Sequence, residues 1–510
     1  MHGRLKSNIK PASIIAAVAV LAAALVVIGA LFVKPYLGMA DNGDFFREIH
    51  NPGLYYLNDT YKDRHFGYFN REYGIREYPY EAGATFISSL SLFIRGAIGL
   101  DLLFTGDNRF DLRVLAAIYT LMFLAAIYLI VRQAAERMPA LAACGAAALA
   151  IVFFADSGYI VYFNSFYGEP ASYVALLLTM ALLMRLPDLE KGSARLLVAW
   201  VVAASLFAAA KQQNAPSGLL LALLGVRLAF LYRPVRMRRL ALGGSVVIAL
   251  VSILTYMLMT DDIKHINQYH AVTRGILEGS LNPERDLEEL GLDPKFSVLA
   301  GTTYYDKYKL EPVESELMQE EFYSKFGYLS IMRYYVLHAD RALQKLNQAA
   351  SQAYYIRPQA MGNYEQSVGK EFGAKTSYFS FWSSIKPYIF PGSFRFIVLF
   401  YFIFYGGLVY HYVAAWRGGR KDDCFRLEAL ALPGLIGLSQ LGVSFLGAGD
   451  ADLAKHLFLY DVCFDLMFGI MVVYAFYKFN LKLKLRLRRK AGNQLWKSKS
   501  STSGSSSLPS

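Results

Sequence analysis

Apolar runs recur along the chain, separated by short polar or basic stretches. Crossing a bilayer as a helix takes about 20 mostly apolar residues. Ten segments approach that pattern: Ile14–Val33, Phe110–Val131, Leu141–Phe154, Ala171–Met184, Leu196–Ala210, Ser217–Leu231, Leu242–Met259, Phe394–Trp416, Leu427–Leu446 and Ala454–Tyr477. The shorter ones are expected to extend into their polar flanks. A further apolar stretch, Ala84–Leu103, holds Arg95 at its middle. A charge at mid-bilayer is costly, so this stretch reads as an amphipathic helix lying in the outer interface. The expected fold is all-α, a polytopic membrane protein of about ten transmembrane helices.

The first run follows a basic leader, Arg4, Lys6 and Lys10, and precedes Gly38-Met39-Ala40, which resembles a small-residue cleavage site. The run is longer than the apolar part of a signal peptide, which favours a retained anchor. Four parts are expected. Residues 1–259 form a membrane module of about seven spans with an outer loop over 34–109. Residues 260–393 form a mostly helical outer region, with helix-like patterns at Leu281–Leu292 and Glu314–Leu346. Residues 394–480 hold the last membrane helices. Residues 481–510 form a basic, then Ser-rich tail, disordered from Ser498. The outer region has about 130 residues, too long for a bare connection.

Composition supports the membrane reading. The 510 residues are 55% hydrophobic and only 18% charged, against roughly a quarter charged in soluble domains. That excludes a soluble enzyme and a disordered chain. The net charge is +12, and its distribution sets the orientation. With the N-terminus inside and Ala84–Leu103 not crossing, Arg132/Arg137, Lys191/Arg195, Arg233/Arg236/Arg238/Arg239, Arg417/Arg420/Lys421 and Lys482–Lys490 all fall inside, as the positive-inside rule demands. Both termini are then cytoplasmic, and no nucleic-acid partner is expected. The three cysteines, Cys144, Cys424 and Cys463, lie in or beside apolar segments without metal-ligand spacing, so neither a disulfide framework nor a thiolate site is expected.

Four polar clusters fall at outer span ends. Asp41-Asn42-Gly43-Asp44-Phe45-Phe46-Arg47 follows the first span. On a helix Asp41 and Asp44 share a face, with Arg47 one turn on. Two carboxylates beside a cation can hold a base or a divalent metal; Asp41 as a plain helix cap is the alternative. Glu169, before Pro170, suits either a helix start or a second acid facing the same space. Lys211, in Lys211-Gln212-Gln213-Asn214, either snorkels to the headgroups or awaits a phosphate. In Asp450-Ala451-Asp452-Leu453-Ala454-Lys455-His456, Lys455 and His456 suit a phosphate, or Lys455 pairs with Asp452. His265 and His270 carry no HExxH, which argues against zinc. Nucleotide-binding glycine loops and the GxSxG elbow are absent. Acids on one segment and cations on others suit transfer from a lipid phosphate. A transporter of a lipid-linked sugar is a rival, supported by Lys211 and by Asp461/Asp465 inside the last span; a non-catalytic scaffold is another.

The order of span, Asp41/Asp44, interface helix and a span opening Phe110-Asp111-Leu112-Arg113 resembles the GT-C glycosyltransferases. More narrowly, the chain resembles the WsfD-type glycan biosynthesis hexose transferases. That likeness rests on Ala40-Asp41-Asn42-Gly43-Asp44-Phe45, Gly53-Leu54-Tyr55-Tyr56, Phe163-Asn164-Ser165-Phe166-Tyr167-Gly168-Glu169, Asn267-Gln268-Tyr269-His270 with Arg274-Gly275, Leu290-Gly291-Leu292, Met361-Gly362-Asn363-Tyr364 and Lys455-His456-Leu457. The resemblance implies inverting transfer of a hexose from a polyprenyl-phosphate donor to an extracytoplasmic glycan or lipid-linked acceptor. It implies Asp44 or Asp41 as base, with Asp44 preferred, and Glu169 as second acid. Arg47, Lys211, Lys455 and His456 would bind the donor phosphate. Asn42, Gln213, Asn214, Asn267 and His270 would bind substrate. A divalent metal, Mg²⁺ or Mn²⁺, on Asp41, Asp44 and Glu169 remains open. The Asp-Asn-Gly-Asp spacing differs from the adjacent acidic pair of protein O-mannosyltransferases, which argues against a protein acceptor.

Overall fold

The computed structural model describes residues 9–76, 88–307, 310–448 and 452–502. The first helix, α1 (Ile9–Leu31), shows how the bundle is held. Ala12, Ala16, Ala19, Ala23, Val27 and Ala30 are buried along one face, while Ile14, Val18, Leu21 and Leu25 stand about 60% exposed on the other. In lipid there is no hydrophobic drive between helices, so small residues that let backbones approach carry the packing. The large apolar side chains face outward, as a lipid-covered surface requires.

After α1 come α2 (Phe45–His50) and the strands β1 (Leu54–Tyr56) and β2 (Glu72–Ile75). Then follow α3 (Ser89–Phe104), β3 (Arg109–Asp111), α4 (Leu112–Arg137), α5 (Ala140–Phe154), α6 (Gly168–Leu183), α7 (Ala194–Ala208), α8 (Ala215–Leu231) and α9 (Val235–Met257). The region over 260–393 begins with α10 (Asp261–His270) and later holds α11 (Tyr328–Leu337), α12 (Ala339–Gln352) and α13 (Phe381–Ile389). The chain closes with α14 (Phe394–Arg417), α15 (Lys421–Ala448), α16 (Leu453–His456) and α17 (Phe458–Thr502).

The protein is an all-α, multi-pass membrane protein. Each of the ten expected segments is helical. Among the described residues seven helices are long and apolar enough to cross a bilayer, in α1, α4, α8, α9, α14, α15 and α17. An eighth crossing would be α5 with the short helices up to Phe163, bent by 47°. α6 and α7 are shorter apolar helices. α6 is buried along almost its whole length, so protein rather than lipid surrounds it.

The interface helix expected over Ala84–Leu103 corresponds to α3; residues 84–87 lie outside the described residues. Ser88 and Ser91 close a reciprocal capping box at its start. Leu90, Ile94, Ala97, Ile98 and Asp101 form its buried face. Arg95 is not left in an apolar setting: its guanidinium donates to Asn51 Oδ1 at 2.8 Å.

Two features were not foreseen. The loop between α1 and α4 contains an antiparallel sheet of order β1-β2-β3, pairing Tyr55 with Gly74 and Tyr73 with Phe110. Its strands are three or four residues long, too short to signal periodicity. The region over 260–393 also divides. Tyr269, Val272, Leu287, Phe322 and Ile331 belong to a core of their own, whereas Ala349, Tyr354, Met361 and Trp382 join the main bundle core. The pattern at Leu281–Leu292 becomes Pro283–Leu290, ended by Gly291 at φ +79°. That at Glu314–Leu346 breaks into a π-helical turn at Met318–Tyr323, then α11 and α12. The tail departs from expectation over 498–502: α17 continues through the Leu, Lys and Arg residues after 480, all good helix formers, to Thr502, while residues 503–510 of the expected disordered stretch lie outside the described residues.

A buried charge cluster ties α13 to α17. Lys386 Nζ lies 2.6 Å from Asp461 Oδ1 and 2.8 Å from Asp465 Oδ1, with all three side chains inaccessible. Tyr159 and Trp382 donate to Asp465 Oδ2 at 2.5 and 2.8 Å. Lys386→Met removes the cation and leaves two buried carboxylates uncompensated, a loss of about 3–5 kcal/mol. Thermal unfolding in detergent should show a large drop in Tm.

Candidate functional site

The loop after α1 is neither helix nor sheet, yet it is buried, so its backbone groups need partners. Two asparagines supply them. Asn164 Nδ2 donates to Leu37 O at 2.7 Å, and Asn363 Nδ2 donates to Gly38 O at 3.0 Å. Met39 N donates to Asn164 O, and Ala40 N to Gly362 O at 3.0 Å. Gly362 allows this approach: a Cβ there would lie 2.1 Å from Gly67 O. Three of the sequence stretches quoted above thus meet at one place.

Asp41 then closes the loop on itself. Its Oδ1 accepts from Gly43 N at 2.7 Å and Phe45 N at 3.1 Å, the local turn expected of an aspartate before a helix. Its Oδ2 accepts from Tyr56 Oη at 2.5 Å and lies 3.3 Å from His65 Nδ1. Asp41 is 2% exposed and does not line the cavity described next. Gly43, at φ +102°, takes a conformation that side chains rarely adopt. That turn starts α2 and sends Asp44, Arg47 and Glu48 to the cavity.

The cavity has a volume of about 350 Å³. It is lined by Asp44, Arg47, Glu48, Tyr167, Glu169, Lys211, Gln213, Lys455 and His456 at its polar end, and by Pro216, Tyr256, Met259, Ile263, Val443 and Leu446 on its apolar side. Side chains from the first loop, α6, α7–α8, α9–α10 and the last turn converge there.

Two ion-pair systems organise the polar end. Asp44 bonds Lys455, and its Oδ1 lies 3.2 Å from Arg47 Nη1. Lys455 is 6% exposed, lies 3.5 Å from Asp452 Oδ2, and stands over the Tyr167 ring at 4.9 Å. Burial alone would raise the Asp44 carboxyl, but Lys455 and Arg47 outweigh it and hold the group well below the usual carboxylate range. Burial opposes charge on Lys455, yet Asp44, Asp452 and Glu169 keep its ammonium above an ordinary lysine. In the second system Lys211 Nζ lies 2.7 Å from Glu169 Oε1. Glu169 Oε2 is buried without a hydrogen bond. Gly168 makes room for that lysine, since a Cβ would meet Lys211 Cγ at 2.5 Å.

The remaining expected residues divide between cavity and scaffold. Asn267 lines the cavity. Gln213 lines it too, while its amide donates to Ser444 Oγ and His456 O at 3.1 and 2.9 Å. His456 is pushed down to about 3 by burial and by the Lys211 and Lys455 charges, so it presents a neutral ring. Asn42 is half-exposed, is not among the cavity-lining residues, and joins the first loop to the last turn through Asp452 Oδ2 at 2.9 Å. Asn214 is buried on Ser172 Oγ and Phe207 O. His270 accepts from Tyr304 N at 3.0 Å and so steadies the turn from which Tyr305 bonds Arg47. Asp450 and Ala451 lie outside the described residues.

The carboxylates expected as metal ligands do not gather. Asp41 is behind the wall, Asp44 is held by Lys455 and Arg47, and Glu169 by Lys211. Among the described residues no three His, Cys, Asp or Glu side chains could hold an ion together. Glu48 and Tyr167, which line the cavity, and Tyr305, which bonds Arg47 beside it, were given no role by sequence reasoning. The spacing of Asp44 and Glu48, one helical turn apart, was the available signal for Glu48.

Fold and site define a multi-pass membrane protein with a charged cavity where its helix ends meet the region over 260–393. The chain belongs to the family described as the YfdI N-terminal transmembrane domain, whose model matches residues 3–498. No curated protein and no solved structure matches it. The family match covers the membrane architecture and does not reach the narrower WsfD-type likeness.

Asp41→Ala strips partners from the Tyr56 hydroxyl and two loop amides, each loss worth about 1–3 kcal/mol where burial is complete. Thermal unfolding should show a lower Tm for Asp41→Ala than for Asp41→Asn, which keeps an acceptor oxygen for Gly43 and Phe45.

Proposed function

We propose that the protein is a GT-C-type membrane glycosyltransferase. It moves a hexose from a polyprenyl-phosphate donor to an extracytoplasmic glycan or lipid-linked acceptor, with inversion. The observation that carries this reading is the pairing of a cationic, carboxylate-lined end with an apolar wall in one cavity at the helix ends. A polyprenyl phosphate has the matching halves, an anionic head and an apolar chain.

Arg47, Lys211 and Lys455 are the groups for the phosphate. They are held by Asp44 and Glu169 without donor, and the phosphate competes for the same donors. As the acceptor hydroxyl oxygen bonds C1 of the sugar, the C1–O bond to phosphate breaks. The electron pair leaves on the phosphate, where the cations stabilise it. A carboxylate of the cavity wall takes the hydroxyl proton. His456, being neutral, can donate a hydrogen bond without adding charge. Asp41 and Asn42 position the loop. The residues present do not form a metal-binding set, and no step is routed through one.

Orientation follows from charge. The cavity collects the ends assigned to the outside. Glu136 pairs with Arg185, Glu428 with Arg227, and Arg426 donates to Pro187 O, beside the basic clusters assigned to the cytoplasm. The transport alternative loses support from Asp461 and Asp465, which are sealed around Lys386 and do not line the cavity.

The test uses the full chain in liposomes with a panel of labelled polyprenyl-phosphate hexoses and added membrane glycans, with and without EDTA. Label should pass from lipid to acceptor. Lys455→Met should lower kcat/KM about 100-fold or more, and Asp44→Asn should also lose transfer because both cations lose their anchor. Lipid that keeps its label with every hexose, while crossing between leaflets, would replace this reading with transport.

A further inference from the structure

Glu48 is a carboxylate with no assignment. It lines the cavity, one helical turn beyond Asp44 on α2. Among the described residues it makes no hydrogen bond and no ion pair. The other cavity carboxylates are committed: Asp44 to Lys455 and Arg47, Glu169 to Lys211. A base that must give up a cation before it can accept a proton is a poor base, because the cation stabilises the form that does not react. The phosphate does not relieve this for Asp44, since the cations that bind it stay beside Asp44.

We propose that Glu48 is the catalytic base of this site, taking the proton from the acceptor hydroxyl as that oxygen attacks the sugar. This rests on the transferase reading above. The bookkeeping is complete without a further reactant. The acceptor O–H bond breaks and its proton goes to a Glu48 carboxylate oxygen. The acceptor O–C1 bond forms, the C1–O phosphate bond breaks, and the phosphate keeps the electron pair. Asp44 becomes a positioning residue that holds Lys455 and Arg47.

The surroundings of Glu48 suit the task. Asp44 and Arg47 face it from its own helix, Glu169 from α6 and Lys211 from the α7–α8 turn. Tyr119 of α4 is also close enough to sense its charge, with a buried hydroxyl that has no hydrogen-bond partner. Burial and the Asp44 charge raise the Glu48 carboxyl to about 7, against the opposing pull of Arg47 and Lys211. A base works best with its pKa near the working pH. The ionised form dominates above that value, so kcat/KM should rise with pH through about 7 and then level. A bound donor adds negative charge, so the corresponding limb in kcat should lie higher.

The experiment measures sugar transfer across pH for wild type, Glu48→Gln and Glu48→Asp in liposomes, together with retention of labelled donor and thermal unfolding. Glu48→Gln should fold, retain donor, and lose about 10²–10⁴-fold in transfer, with the rising limb gone. Glu48→Asp should keep partial activity with a displaced limb. Transfer by Glu48→Gln at the wild-type rate, or a loss equal at every pH with the limb unmoved, would overturn the assignment while leaving the transferase reading intact. If Glu48→Gln does not fold, Glu48→Asp decides: a displaced limb supports the assignment and an unmoved one overturns it. A wild-type protein that transfers no hexose at any pH removes both readings.

Discussion

The structure turns on how a buried loop without secondary structure satisfies its backbone. Leu37 to Asp44 leaves α1 at the end of the bundle, where water cannot be relied on for hydrogen bonds. Asn164 from between α5 and α6 and the Gly362–Asn363 turn serve this backbone from two sides. Asp41 completes it from within. The direction of α2 follows from that clamp, and with it the placement of Asp44, Arg47 and Glu48. A shift of one residue would carry all three out of the cavity.

The cavity is an arrangement of opposed charges at low solvent exposure. In water an ion pair such as Lys455–Asp44 would contribute little. Here Lys455 is 6% exposed against 35% for Asp44, so removing the carboxylate leaves a buried ammonium short of compensation. Without a ligand the cations are occupied by protein carboxylates, which spares the protein an isolated cluster of positive charge. An incoming anion has only to compete with those carboxylates in a site whose geometry is already set.

Much of this was legible in the chain. Long apolar runs mark membrane helices because a span needs them, and each expected segment is helical. Asp44, Arg47, Glu169, Lys211, Gln213, Asn267, Lys455 and His456 were picked out as polar groups at outer span ends, and the fold brings them to one cavity. What was not legible depends on partners far away in sequence. Asp41 and Asp44 look equivalent by residue type, but only the three-dimensional neighbours Tyr56 and His65 on one side and Lys455 on the other separate a loop fastener from a cavity residue. Asn42, Asn214 and His270 were expected to meet substrate, yet their nearby hydrogen-bond partners occupy them in the scaffold. Glu48 was passed over because its only signal, a spacing of one helical turn from Asp44, does not by itself place it in a cavity. The sheet escaped because three or four residues are too few to show alternation.

The loop clamp also sets an order of events during synthesis. Its contacts join residues separated by 127 positions for Asn164–Leu37, 325 for Asn363–Gly38 and 411 for Lys455–Asp44. At a synthesis rate of about 5–20 residues per second, Asp44 waits on the order of 20–80 seconds for its lysine. α1 can enter the membrane early, but the loop behind it stays uncommitted until nearly the last crossing has been made. The nascent chain thus carries an unfinished loop through most of its assembly, with backbone amides and an aspartate still lacking its lysine exposed to whatever else binds there. Cellular factors that shelter newly inserted helices would have their longest engagement at this point.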